Sequence, residues 1–140
     1  MDVRKVTDDM SVSPQITVDD VKQAAAQGFR SLMCNRPDAE SPDQTDFAQF
    51  EVEARNLGLE VAWVPVVSGK ITAADVQAFS QAYDSMPKPL LAYCRTGTRS
   101  ITLWALAQGA KGVPAQQILA CGSAAGYDLS DTVQLIQASR

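Results

Sequence analysis

The chain contains no histidine among its 140 residues. This absence excludes Ser-His-Asp and Cys-His catalytic groups, in which an imidazole takes the proton of the nucleophile. It also excludes metal sites with histidine ligands. Any reactive group must therefore be activated by surrounding charges and hydrogen bonds. We expect neither a metal nor a cofactor.

Cysteine is scarce as well, with three residues at unrelated spacings, Cys34, Cys94 and Cys121. An odd number of scattered thiols neither builds a disulfide framework nor closes a structural zinc site. Such thiols are typical of a reduced, cytoplasmic protein. Cys34 ends a predicted strand on the side of the rim and could act as a resolving thiol, although core packing is its more ordinary role and the one we assign to Cys121.

Long hydrophobic runs are absent too. No apolar stretch approaches the roughly 18 residues that a membrane span requires, and the first ten residues, MDVRKVTDDM, lack the apolar segment of a secretory signal. The formal net charge is −4, from 12 basic and 16 acidic residues, which argues against nucleic-acid binding. With 46% hydrophobic residues, the length suits a single domain over residues 1–140.

Strand-like and helix-like segments alternate along the chain. The pattern Thr-x-x-Asp at Thr17 and at Thr72 predicts two helix starts. Ser41-Pro42-Asp43 predicts the start of another helix, and Ser130 is predicted to cap a last short one. This alternation is typical of a mostly parallel sheet with helices on both faces.

In such sheets, ligands bind beyond the carboxyl ends of the strands. Three loops are therefore predicted to form one rim, namely residues 35–40, 67–70 and 94–99. The last of these lies between an apolar run, residues 90–93, predicted to be a buried strand, and a helix predicted to reach about Gln108. The chain is organised around this junction.

The junction reads Cys94-Arg95-Thr96-Gly97-Thr98-Arg99. A strand that turns through a glycine-containing loop into a helix points several backbone N–H groups at one spot. Their partial positive charge, together with Arg99 and Arg95, favours a thiolate, so the pKa of Cys94 is predicted to lie below its free value of about 8.5. The same loop would hold a phosphate, sulfate, thiosulfate or persulfide sulfur.

Further candidate binding groups surround this loop. Gly97 lets the backbone turn inward without a Cβ clash. Arg36 and Asp38, on the neighbouring rim loop, are candidates for the anion site, although Arg36 could equally be an exposed charge or a partner of Asp38. Ser100 is placed to donate a hydrogen bond to the thiolate from the first turn of the helix. Hydroxyl groups that could orient the loop or its anion belong to Thr96, Thr98 and Ser100.

Residues 94–100, Cys-Arg-Thr-Gly-Thr-Arg-Ser, resemble the active-site loop of rhodaneses, whose pattern is Cys-Arg-x-Gly-x-Arg. The rest of the chain is similar to the beta-lactamase-hydrolase-like phosphatase-like domains, also called domain of unknown function 442. The resemblance covers nearly the whole chain, and its landmarks are Asn35-Arg36-Pro37-Asp38, Val64-Pro65-Val66, Leu91 to Ser100, Leu103-Trp104-Ala105 and Ala125-Gly126-Tyr127-Asp128-Leu129-Ser130.

The resemblance implies a three-layer α/β/α fold with a mostly parallel four-stranded sheet, similar to that of dual-specificity phosphatases. It also implies a sulfurtransferase, because family members occur fused to, or encoded near, persulfide dioxygenases. Such a dioxygenase is then the candidate protein partner.

Two chemistries compete for Cys94. In sulfur transfer, Cys94 takes the sulfane sulfur of an anionic donor such as thiosulfate or a persulfide and passes it to a thiol acceptor such as glutathione. In phosphate-ester hydrolysis, Cys94 attacks phosphorus, Arg99 binds the equatorial oxygens and an aspartic acid protonates the leaving group. A non-catalytic anion or persulfide sensor is a third alternative.

The residues themselves favour sulfur transfer. Phosphatases of this fold use His-Cys-x5-Arg, whereas here Tyr93 replaces the histidine and four residues separate Cys94 from Arg99. A shorter loop is expected to close around a group smaller than phosphate. The loop at residues 67–70 holds no carboxylate to act as a general acid, although Asp38 or Glu40 could replace it. We therefore predict a sulfurtransferase, with a phosphatase as the alternative.

Overall fold

Five strands and six helices follow one another along residues 1–140, all of which the computed structural model describes. The strands are β1 (Arg4–Lys5), β2 (Met10–Ser13), β3 (Ser31–Cys34), β4 (Glu60–Trp63) and β5 (Leu90–Tyr93). The helices are α1 (Val18–Ala26), α2 (Phe47–Asn56), α3 (Ala73–Ser85), α4 (Thr98–Ala110), α5 (Ala115–Ala124) and α6 (Ser130–Ala138).

The strands form one sheet in the order β1-β2-β5-β3-β4. β2, β5, β3 and β4 are parallel, and β1 is antiparallel to β2 at the edge. β5 lies in the centre, and its last residue, Tyr93, is level with Ser13 on one side and Cys34 on the other. The predicted three-layer fold with four parallel strands is confirmed, and the two-residue β1 makes the sheet mixed and five-stranded.

Each face of the sheet has its own apolar core. Successive residues of a strand point to opposite faces, so Leu91 and Tyr93 of β5 pack with α1 and α2, while Leu90 and Ala92 pack with α3, α4, α5 and α6. Burying a large apolar side chain contributes roughly 1.5–3 kcal/mol. The central strand is thus held from both sides, which fixes the position of the loop that follows it.

Two helix starts match their predictions. Thr17 accepts a hydrogen bond from the backbone of Asp20, whose carboxylate accepts one from the Thr17 N–H in return. The same reciprocal capping box joins Thr72 and Asp75 at α3. No helix in the structure is both long and apolar enough to cross a membrane.

Two other helix starts were predicted wrongly. α2 begins at Phe47 rather than at Ser41, because the Asp38 carboxylate, from outside the segment, accepts the hydrogen bond of the Phe47 N–H at 2.8 Å. Ser130 is the first residue of α6 rather than its cap. The cap role falls to Asp128, whose carboxylate accepts a hydrogen bond from the Ser130 N–H at 2.9 Å.

Candidate active site

Cys94 lies immediately beyond the central strand and is completely buried. Its Sγ accepts a hydrogen bond from the backbone N–H of Gly97 at 3.1 Å. Gly97 adopts a left-handed conformation, with φ of 88°, which turns this N–H toward the sulfur and begins α4 at the next residue. The strand-to-helix turn predicted from the sequence is therefore present, with Cys94 at its base.

Arg99, in the first turn of α4, is held by three hydrogen bonds. Its Nη1 donates to Glu40 Oε2 and to the carbonyl of Val66, both at 2.8 Å, and its Nη2 donates to Glu40 Oε1 at 2.9 Å. A guanidinium has five N–H groups in a rigid fork. The Glu40 and Val66 bonds use both Nη1–H groups and one Nη2–H group. The Nε–H and the second Nη2–H remain, and they lie side by side on one edge of the planar guanidinium. That edge can bind two oxygens of an anion at once.

Glu40 connects two arginines. Its Oε1 also accepts a hydrogen bond from Arg36 Nε at 2.8 Å. The Arg99 guanidinium, more than that of Arg36, lowers the pKa of the Glu40 carboxyl to about 2, although burial acts in the opposite direction. Glu40 is therefore ionised at neutral pH. In this arrangement it orients Arg99 and cannot serve as the general acid that the sequence allowed.

Arg36 and Asp38 have separate roles. Arg36 is buried and, besides Glu40, binds Gln15 Oε1 at 2.9 Å and Ser41 Oγ at 3.4 Å. The sequence-based alternatives of an exposed charge or a partner of Asp38 are both wrong. Asp38 holds the first N–H of α2, so its carboxylate anchors a helix rather than binding an anion.

Ser100 is fully buried, and its hydroxyl donates to Asn35 Oδ1 at 2.8 Å. The single hydroxyl proton is thus directed at Asn35 rather than at the thiolate. Asn35 in turn donates from Nδ2 to the carbonyl of Val64 at 3.0 Å. This amide joins the ends of β3 and β4 to the first turn of α4. Sequence reasoning assigned it no role, although a polar residue directly after a buried strand was the available signal.

A cleft of about 870 Å³ opens above the loop. Thr96 and Thr98 lie exposed within it, and their hydroxyl groups are joined by a 3.0 Å hydrogen bond. Arg95 is exposed at its wall and makes no hydrogen bond or salt bridge through its side chain. The twelve lining residues are Arg36, Glu40, Ser41, Asp43, Ser68, Gly69, Ile71, Arg95, Thr96, Thr98, Arg99 and Thr102. Asp43, a second carboxyl group in the cleft, was missed by sequence reasoning.

Cys34 is buried beside the rim loop. Its thiol donates to the carbonyl of Arg36 at 3.3 Å, and burial raises the pKa of the Cys34 thiol. Both effects favour a neutral thiol with a structural role. Cys121 lies half-buried on α5. It packs, as predicted, against the apolar core between the sheet and helices α3 to α6.

Comparison with known proteins gives consistent results. The family model described as "Beta-lactamase hydrolase-like protein, phosphatase-like domain" matches residues 2–111. A beta-lactamase hydrolase-like protein of Xylella fastidiosa is 34% identical over 134 residues, which are 95% of this chain and 31% of that protein. The chain thus spans about a third of the length of the curated relatives it matches.

Solved structures show the same similarity. A Neisseria meningitidis protein, provisionally described as a phosphatase, is 35% identical, with a TM-score of 0.87 over 100% of this chain and 99% of that one. The catalytic core of the PP-IP phosphatase of S. cerevisiae is 10% identical and has a TM-score of 0.64, over 99% of this chain and 93% of that one. At this identity the second comparison shows the shared fold alone.

These findings contradict the sulfurtransferase prediction. The matching family model and these structural relatives are described as phosphatase-like, and none of them is described as a sulfurtransferase. The rhodanese-like loop, and with it the persulfide donor, thiol acceptor and dioxygenase partner, finds no support. The prediction assumed that the short loop limits the ligand to a group smaller than phosphate, whereas the loop opens into a cleft of about 870 Å³ that has room for a phosphate ester. The relatives support an enzyme over a non-catalytic sensor, and favour the phosphatase alternative.

Proposed function

Because this chain belongs to the family of phosphatase-like domains of beta-lactamase hydrolase-like proteins, we propose that it is a cysteine-dependent phosphatase of small, polar phosphate monoesters. One observation supports this most directly. Glu40 and Val66 fix the Arg99 guanidinium close to the Cys94 sulfur, with one edge of the guanidinium left over for an anion. The geometry suits a phosphoryl group held beside the sulfur.

In the proposed reaction, the Cys94 thiolate attacks phosphorus, so that an S–P bond forms as the P–O bond to the alcohol breaks. The free edge of Arg99 and the N–H groups of the loop bind the phosphoryl oxygens, where negative charge is concentrated in the transition state. Water then attacks phosphorus and breaks the S–P bond. The products are the alcohol, inorganic phosphate and the regenerated thiolate.

The leaving oxygen needs a proton, and we assign its delivery to Asp43. The cleft contains two carboxyl groups, and both oxygens of Glu40 are already bound by Arg99 and Arg36. Asp43 lies exposed in the lining, and its carboxylate accepts a single hydrogen bond, from Ser41 Oγ at 3.2 Å. In the first step its carboxyl group protonates the departing alkoxide, and in the second step its carboxylate accepts a proton from the attacking water.

The lining of the cleft indicates the class of alcohol. Ile71 is its single hydrophobic residue, whereas five lining residues carry hydroxyl groups. An aromatic ring such as that of phosphotyrosine would find little apolar surface to cover it. A polyol or sugar phosphate could instead form hydrogen bonds with the walls, and the unpartnered Arg95 could bind a second anionic group.

A panel of phosphate monoesters tests this proposal. We expect turnover of sugar and polyol phosphates with higher kcat/KM than of phosphotyrosine, and no turnover by Cys94→Ala. Arg99→Lys keeps the charge but loses the planar fork, and we expect it to lower kcat/KM by about 100-fold or more. Absence of phosphate release from every ester by the folded wild-type protein would refute the proposal.

Asp43 is tested by the dependence on the leaving group. Asp43→Asn should slow hydrolysis of an alkyl phosphate by about 100-fold, in the range of general-acid catalysis. It should have little effect on p-nitrophenyl phosphate, whose leaving group needs no proton. Asp131→Asn, an exposed aspartate on α6, is the matched control. Equal rate losses on both substrates would remove Asp43 from the role of acid.

A further inference from the structure

Tyr127 reaches the active-site loop from the turn between α5 and α6, beyond the residues that the family model matches. Its hydroxyl donates a hydrogen bond to the carbonyl of Thr96 at 2.9 Å. The peptide group that carries this carbonyl is also the one that carries the N–H of Gly97. The N–H of Gly97 donates to Cys94 Sγ at 3.1 Å.

The two hydrogen bonds lie on opposite sides of one rigid unit. In a trans peptide the C=O and the N–H point in opposite directions within a plane. Fixing the carbonyl on the outside therefore fixes the direction of the N–H on the inside. We propose that Tyr127 is a positioning residue, whose hydroxyl holds the Thr96–Gly97 peptide so that its N–H points at the sulfur of Cys94.

The fit between Tyr127 and the loop requires a glycine at position 97. A Cβ added to Gly97 would lie 2.1 Å from Tyr127 Oη, far inside van der Waals contact. The phenol hydroxyl thus occupies the space that any other residue would fill. The left-handed φ of Gly97, 88°, adds a second reason for glycine at this position.

Tyr127 is itself held in place. Its backbone N–H donates to the carbonyl of Gly122 at 2.8 Å. The guanidinium of Arg4 on β1 lies over the ring, 5.2 Å from its centroid, and donates to the carbonyl of Ala125 at 3.5 Å. The hydroxyl is therefore presented by a turn that is anchored on two sides, rather than by a freely rotating side chain.

The surrounding charges keep the phenol a donor. Burial raises the pKa of Tyr127, the nearby Arg4 guanidinium acts against this, and Cys94 and Asp2 act with it. Around Cys94, at the inner side of the Thr96–Gly97 peptide, the charged and titratable groups are Arg99 and Cys34. A neutral Tyr127 that donates outward is thus compatible with a thiolate that accepts inward.

The test is the pH dependence of Cys94 alkylation by iodoacetamide, followed on the Cys94 peptide by mass spectrometry in the wild type and in Tyr127→Phe. The substitution keeps the ring and its contact with Arg4 but removes the donor. We expect the pH midpoint to rise by about 0.5 unit, which is a roughly threefold loss of alkylation rate at a pH well below the midpoint. Tyr83→Phe, which removes a phenol hydroxyl that makes no hydrogen bond, is the matched control.

Amide hydrogen exchange at Gly97 supplies a second readout. The N–H should exchange faster in Tyr127→Phe than in the wild type, with the thermal melting point and the exchange of core amides little changed. Coincident alkylation curves in the two proteins, or an unchanged exchange rate at Gly97, would overturn the proposal. Neither readout requires turnover, so the result is independent of whether the chain is a phosphatase.

Discussion

Glu40 provides a quantitative prediction, because its carboxylate is the main partner of the Arg99 side chain, which is 9% exposed. Glu40→Gln keeps the shape of the side chain but removes its charge and replaces one acceptor oxygen with an NH₂ group that opposes the arginine. Two charge-assisted hydrogen bonds to Arg99 and one to Arg36 are weakened. We expect lower stability and poorer placement of Arg99.

The magnitude follows from the pKa of Glu40, which falls from 4.5 to about 2 chiefly through Arg99. Such a shift corresponds to about 3 kcal/mol of stability at full value. The Glu40 side chain is 26% exposed, and solvent screening reduces this to about 1–2 kcal/mol. For a chain of this length, that is a lower Tm by about 3–8 °C.

The pH dependence has a definite sign. The folded-state pKa lies below the unfolded value, so the stabilisation is complete above about pH 4.5 and is lost as the pH falls toward 2. Urea unfolding of the wild type and Glu40→Gln should therefore differ by about 1–2 kcal/mol at pH 7 and by much less at pH 3. Glu51→Gln, which breaks an exposed pair with Arg55, is the control and should differ by less than about 0.5 kcal/mol.

Activity distinguishes two roles for the same carboxylate. If Glu40 orients Arg99, Glu40→Gln should lower kcat/KM for phosphate esters by about tenfold, which is the value of one weakened charge-assisted hydrogen bond. If the Glu40 carboxylate instead competed with the substrate phosphate for Arg99, the substitution would raise kcat/KM. A rise in activity, or a stability difference that is the same at pH 3 and pH 7, would refute the reasoning.

Three further substitutions are expected to separate structure from chemistry. Asp38→Ala removes the acceptor for the first N–H of α2 and should cost about 1 kcal/mol in urea unfolding, while kcat stays near the wild-type value. Ser100→Ala leaves Asn35 Oδ1 without its donor, so stability should fall by about 1–3 kcal/mol, and unchanged alkylation of Cys94 at pH 7 would confirm that Ser100 does not serve the thiolate. Gly97→Ala brings a Cβ to 2.1 Å from a phenol oxygen and should lower both Tm and alkylation rate, whereas wild-type values would contradict the described turn.

The local parts of the site could be predicted from the sequence. A short apolar run, a glycine and an apolar helix lie next to each other in the chain, so the turn from Tyr93 to Arg99 follows from neighbouring residues alone. The capping boxes at Thr17 and Thr72 are equally local. In each case the interacting atoms are separated by no more than a few residues, and the spacing fixes the geometry.

The distant parts could not be predicted in this way. Glu40 and Arg99 are 59 residues apart, and they meet because β3 and β5 are neighbours and the loop after β3 folds back over the rim. A contact across nine residues likewise explains the wrong start of α2. Ser41-Pro42-Asp43 predicted a start at Ser41, whereas Asp38 accepts the hydrogen bond of the Phe47 N–H and the helix begins there. Tyr127 enters the site from a turn that follows α5, and no spacing rule connects it with Cys94.

The functional error has a different origin. The spacing between Cys94 and Arg99 was taken to limit the size of the ligand. Spacing determines how the loop N–H groups converge, whereas the room above the loop depends on side chains from three rim segments. Those side chains leave a wide, polar cleft, so the short loop does not exclude a phosphate ester.

The most direct test of the central claim is to trap the covalent intermediate. The wild-type protein is mixed with a phosphate monoester that it turns over, quenched in acid within milliseconds and digested for mass spectrometry. We predict a phosphoryl group on Cys94, with none on the corresponding peptide of Cys94→Ala, and slower decay of the adduct when Asp43 is replaced by asparagine. Turnover without any phosphoryl group on Cys94 at any quench time would contradict the assignment of Cys94 as the nucleophile.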